Sequence, residues 1–109
     1  MANAYKNKKV DLTTTDVTIL YTVPSETTAI IKSILVSDDS GTGDAIDVTL
    51  VDTSSAIFSL FNGKTIAADT TDELLTAPLV AEASEIIKVQ ATTADRLHVV
   101  LSVLEMTRA

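Results

Sequence analysis

At 109 residues, with a net charge of −7 and 46% hydrophobic residues, the chain has the size of one compact domain that buries roughly two thirds of the surface its unfolded form exposes. It contains no Cys, no Trp and a single His, which excludes thiol nucleophiles, disulfide frameworks and multi-histidine metal centres. No run of about 18 consecutive apolar residues occurs and Met1 to Val10 is polar, which predicts a soluble product with neither signal peptide nor membrane span.

Charge is distributed unevenly. Lys6, Lys8 and Lys9 crowd a first segment without acids, and the remainder carries fifteen acidic against five basic side chains, a local balance of −10. Residues 1–12 are therefore expected as an N-terminal basic arm, reaching an acidic surface on a neighbouring subunit or fraying into solvent. Residues 13–109 are expected as a single β-sandwich domain. An acidic body repels nucleic-acid phosphate, and so few aromatics offer no stacking platform, so no nucleic-acid partner is expected.

In chain order, Val17, Ile19, Tyr21 and Val23 alternate with Thr18, Leu20 and Thr22, the two-residue period of a half-buried strand, and Pro24 ends it. Ala29 to Ser37 is apolar on both parities, as for a strand in the middle of a packed sheet, with Lys32 pointing to an exposed edge. Asp38 to Asp44 reads as a turn, and Ile46, Val48 and Leu50 then resume alternation, which together predict a hairpin. Ile57 to Phe61 forms the next strand, with Asn62-Gly63 as its closing turn. Between Ile66 and Ala83 Pro78 forbids a long helix, and irregular chain with short strands near Leu74 and Leu79 is expected. Ile86 to Ala91 and Leu97 to Glu105 complete the set, joined at Ala94-Asp95, and Val99-Val100-Leu101 predicts a last strand buried on both faces. About eight short strands with negligible helix predict an all-β fold, an antiparallel β-sandwich of immunoglobulin-like or jelly-roll type.

Residues with chemical potential are few. Asp38, Asp39 and Asp44, with Asp47 nearby, offer oxygen ligands suited to calcium, yet they lack EF-hand spacing, and Asp with Gly is also ordinary turn chemistry. His98 stands alone and is expected as a partly buried or interface histidine. Glu82 and Glu85 lack the aromatic-lined cleft of a glycosidase. Phe58 and Phe61 read as core plugs beside a turn, or as an anchor at a protein interface. No catalytic, cofactor-binding or metal-binding residue is assigned, and no enzyme is expected.

Tyr21-Thr-Val-Pro24, the strand Thr28 to Val36 with its following Asp-Ser-Gly turn, and Leu79 to Ala91 resemble segments of the small β-sandwich virion proteins of tailed bacteriophages. Ala83-Ser84-Glu85 departs from that pattern, which has a Gly-Asp turn there. The resemblance spans most of residues 17–105 and implies repeated copies in a particle shell, neck or tail, with no catalytic residues to carry over.

The expectation is thus a phage virion structural protein, made in the host cytoplasm and localised to the virion. It is read first as a capsid decoration or cement protein on the major capsid lattice, with a neck, tail or fibre component as the alternative. A host-surface glycan-binding module is the reading from another class. The expected partners are the major capsid protein or other virion proteins and further copies of the chain, with no membrane, small-molecule substrate or cofactor. The residues expected at those contacts are Lys6, Lys8 and Lys9, then Asp38, Asp39 and Asp44, then Phe58, Phe61 and Asn62.

Overall fold

A computed structural model describes residues 2–108, and among them every regular element is a β-strand. Nine strands follow in order: β1 (Ala2–Leu12), β2 (Thr18–Thr22), β3 (Thr27–Asp38), β4 (Asp44–Val51), β5 (Ile57–Ile66), β6 (Thr71–Glu73), β7 (Leu79–Ala81), β8 (Ile86–Ala91) and β9 (Leu97–Thr107). One sheet has the order β1-β9-β3-β6, with β7 also pairing β3, and the other has the order β2-β8-β4-β5. All pairings are antiparallel.

The pairing list describes a folded ribbon. The chain doubles back at Asp52–Ala56, so that β4 pairs β5, β3 pairs β6 and β7, β2 pairs β8, and β1 pairs β9. That ribbon then rolls until β9 meets β3 and β8 meets β4, which closes two sheets over one core. This is the jelly-roll arrangement, with β6 and β7 as two pieces of one broken edge strand. Of the two sandwich types expected, the topology selects this one.

The core follows from alternation. On β9, Leu97, Val99, Leu101 and Val103 point inward and are essentially inaccessible. Facing them from the second sheet are Ile46 and Val48 of β4 with Ile87 and Val89 of β8. Each such side chain contributes about 1.5–3 kcal/mol by leaving water.

Bulges explain where the two-residue period misleads. In β3 the partners Ile31↔Val103 and Ser33↔Ser102 leave Lys32 as an extra, exposed residue. Ala29 and Ile31 before it and Ile34 and Val36 after it therefore all face the core, which is why the segment is apolar on both parities. The same device in β2 sits at Leu20: Val17 and Ile19 are exposed, whereas Leu20, Tyr21 and Val23 are buried. The expected single face from Val17 to Val23 is thus corrected by a change of phase.

Three further expectations are corrected. Asp38 to Asp44 is no hairpin turn, because β3 and β4 lie in different sheets and the loop arches between them. Asn62-Gly63 does not end a strand, because β5 continues to Ile66 through a bulge opposite Asp47, where Gly63 has φ 66° and its N–H donates to Asp47 Oδ1 at 2.6 Å. Finally, β9 is buried on one face only, with His98, Val100, Ser102, Leu104 and Met106 half-buried on the outer side. Ser84, where the resemblance has a Gly-Asp turn, adopts φ 69°, a left-handed conformation that glycine enters freely.

Candidate functional site

Residues 2–12, expected as an arm, lie as β1 along the whole of β9, from Ala2↔Thr107 to Leu12↔Leu97. Its side chains toward Lys9 are mostly exposed, and only Val10 and Leu12 join the core. Register divides its lysines: Lys6 and Lys8 stand on the inward side, opposite Val103 and Leu101, and Lys9 stands on the outer side, opposite Val100. Inward-pointing charge on an edge strand discourages another strand from adding to it.

Lys6 has a partner inside. Its Nζ lies 3.0 Å from Glu105 Oε1, while Tyr21 Oη donates to Glu105 Oε2 at 2.6 Å. Glu105 is the inward residue that follows Val103 on β9 and is 4% exposed. Burial opposes its ionisation, but the bonds from Tyr21 and Lys6 and the charges of Lys6 and Lys8 outweigh it and hold the carboxyl below its ordinary value. Burial, then the bond to and charge of Glu105, push the Tyr21 phenol well above its ordinary value. Sequence reasoning missed this triad. Its signal was parity, since an acid in phase with Leu97, Val99, Leu101 and Val103 needs a buried partner.

The acidic loop disperses its carboxylates. Asp38 is buried and accepts from Ser40 N and Ser40 Oγ, both at 2.6 Å. The Ser40 hydroxyl outweighs desolvation, with further help from backbone N–H groups and the charge of Arg96, and holds this carboxyl low. Asp39 approaches His98 Nδ1 at 3.7 Å, and Asp44 Oδ2 accepts from Thr93 N at 2.8 Å. Arg96 closes the loop by donating to Gly43 O at 3.1 Å. His98, half-exposed as expected, also meets Asp11 at 3.2 Å through Nε2. Among the described residues, no three His, Cys, Asp or Glu side chains gather to hold a metal ion.

The third group lies elsewhere. Phe58 is 53% exposed on β5, whereas Phe61 packs against the core and Asn62 sits exposed in the bulge. The residues singled out from sequence thus form no single patch: the lysines lie on the edge of one sheet, the aspartates at the end of the sandwich, and the β5 residues on the edge of the other sheet.

The outer face of the β1-β9-β3-β7 sheet carries a surface that sequence reasoning did not find. Tyr5↔Leu104↔Ile30↔Val80 is one cross-strand row, about 14 Å wide at the usual inter-strand spacing. Tyr5 is 77% and Val80 55% exposed. Beside the row a shallow groove of about 440 Å³ is lined by Tyr5, Lys6, Asn7, Lys32, Ser102 and Val103. Its lining sets the Tyr5 ring and the Val103 side chain beside the hydroxyl of Ser102, the amide of Asn7 and the amines of Lys6 and Lys32.

No known family model matches the chain, and no curated protein matches it. Among solved structures it is similar to a pentameric capsid protein isolated from metagenomic phage sequences, at 15% identity and TM-score 0.46, over 91% of this chain and 60% of that one. This chain thus spans three fifths of that protein's length. It is also similar to the virus-like particle protein of the extra small virus of the giant freshwater prawn Macrobrachium rosenbergii, at 15% identity and TM-score 0.45, over 100% of this chain and 82% of that one. At these values the likeness is too slight to bear on what this chain does.

Proposed function

We propose that the chain is a virion structural protein of a tailed bacteriophage, acting as a decoration or cement protein that binds the major capsid lattice and bridges its subunits. The observation that carries this reading is the segmental resemblance, whose parts fall on connected elements of one sandwich: Tyr21–Pro24 ends β2, Thr28–Val36 lies within β3, and Leu79–Ala91 runs through β7, its turn and β8. The surface is suited to contact, with an exposed apolar row, a lysine-bearing edge and an aspartate-rich end. The jelly-roll fold alone argues for no function, because it hosts many.

Co-sedimentation of the purified chain with purified phage capsids, with bound copies counted, tests the proposal. Saturable binding at hundreds of copies per particle supports a cement role. Occupancy of about a dozen or fewer moves the assignment to a neck, tail or fibre component, and binding to a glycan array with none to particles moves it to a host-surface module.

A further inference from the structure

Asn62 and Gly63 sit together opposite Asp47, outside the residue pairs of the β4–β5 ladder, which run Ile46↔Lys64 on one side and Val48↔Phe61 on the other. In a regular antiparallel ladder a backbone N–H that faces the partner strand is held by a carbonyl. The Gly63 N–H faces a carboxylate instead, donating to Asp47 Oδ1 at 2.6 Å from a backbone with φ 66°. Asn62 is exposed, and a Cβ added at Gly63 would meet nothing within 4 Å.

This arrangement puts three reactive parts side by side. The side-chain carbonyl carbon of an asparagine and the backbone nitrogen of the next residue close a succinimide ring when they bond. A peptide nitrogen is a poor nucleophile, because its lone pair is delocalised into the carbonyl. Its N–H becomes strongly acidic only as the new bond forms, so a base already aligned with that N–H takes the proton at that moment. Glycine after the asparagine leaves the approach free of a Cβ and the backbone free to turn.

We infer that Asn62 is a site of intramolecular deamidation in the folded chain, with Asp47 as the proton acceptor. Gly63 N attacks Asn62 Cγ and its proton passes to Asp47. The tetrahedral carbon then expels Nδ2, which takes the proton back from Asp47 and leaves as ammonia. Water opens the succinimide at either carbonyl, giving aspartate or isoaspartate at position 62, and no oxidant or reductant is consumed. Both products set a new carboxylate near Asp47, where like charges repel. Isoaspartate also adds a carbon to the backbone of β5, an edge strand that pairs with β4. The modification thus loosens with age the sheet edge that exposes Phe58. The inference does not depend on the proposed virion role.

The experiment holds the folded chain at about pH 8 and follows each asparagine over days by peptide mass spectrometry, reading the gain of about 1 Da that replaces amide by carboxyl. Asn3 and Asn7 are the internal controls, since the residues after them, Ala4 and Lys8, carry a Cβ and lie in the unbroken β1–β9 ladder. Asn62 is expected to convert at least about tenfold faster than either, and at least as fast as in a free peptide of residues 58–65. Asp47→Asn keeps an oxygen to accept the Gly63 N–H but cannot take its proton, and is expected to slow conversion several-fold at an unchanged melting temperature. Asp47→Ser serves in its place if the amide variant is less stable. Aged wild-type chain is expected to melt lower than fresh chain, and aged Asn62→Gln is expected to melt as it did when fresh. Conversion of Asn62 no faster than that of Asn3 and Asn7, conversion slower than in the peptide, or a wild-type rate in a stable Asp47 variant each overturns the inference.

Discussion

Tyr21 of β2 and Glu105 of β9 meet across the two sheets through a 2.6 Å hydrogen bond between residues 84 apart in sequence. Lys6 of β1 completes the arrangement from the edge. One buried carboxylate therefore ties together the two edge strands β1 and β2, from different sheets, and the last strand β9.

Removing the phenolic donor tests that tie. Tyr21→Phe keeps the ring in the core and deprives a buried, ionised carboxylate of its shortest hydrogen bond, which is expected to cost about 1–3 kcal/mol. The loss is read from urea midpoints at neutral pH.

The pH dependence has a definite sign. Glu105 titrates below its ordinary value in the folded chain, so it takes up protons more readily when unfolded. Its contribution is present above the unfolded carboxylate value of about 4.3 and is lost as pH falls through the lower folded value. Glu73 acts in the same direction: burial opposes its ionisation, but bonds from Ser33, Ile34 and Leu75 hold it low. Glu105→Gln is expected to flatten the acid limb of stability below the ordinary carboxylate range, and an unchanged slope would show that Glu105 contributes nothing there.

Two glycines separate conformational strain from crowding. Gly63 has φ 66° and open space around an added Cβ, so Gly63→Ala is expected to cost about 1–2 kcal/mol from the left-handed backbone alone. At Gly43, φ 76°, the Cβ also meets the Ile66 carbonyl oxygen at 3.0 Å. Gly43→Ala is expected to lose clearly more, measured by the same unfolding curves.

The Asp38–Asp44 loop gives a metal test. Its carboxylates point to Ser40, His98 and Thr93, and Arg96 brings a positive charge beside Asp38. Neither millimolar calcium nor chelator is expected to move the melting temperature. A rise with calcium reversed by chelator would revive the loop as a cation site.

Strand existence was legible because β-branched alternation and turn chemistry are local properties, and even the broken stretch around Leu74 and Leu79 was expected once Pro78 excluded a long helix. Phase was less legible. A single inserted residue such as Lys32 or Leu20 inverts which side chains face inward, and whether it is inserted depends on the partner strand. Asn62-Gly63 failed for the same reason: positive φ serves a bulge as well as a hairpin, and only the pairing of β5 with Asp47 distinguishes them. The candidate site was legible as residue types, with the lysines and aspartates identified, but not as a surface.

By itself the sequence determined the all-β class, the poverty of catalytic groups and the separation of early lysines from later acids, because these depend on composition and on side-chain order along the chain. Tertiary structure alone decided that the basic segment becomes an edge strand, that Tyr5, Leu104, Ile30 and Val80 form one row, and that Lys6, Tyr21 and Glu105 meet. Those relationships join residues tens of positions apart. They arise only when the ribbon rolls and fixes the register, which is set by cooperative burial across both sheets and not by any local segment.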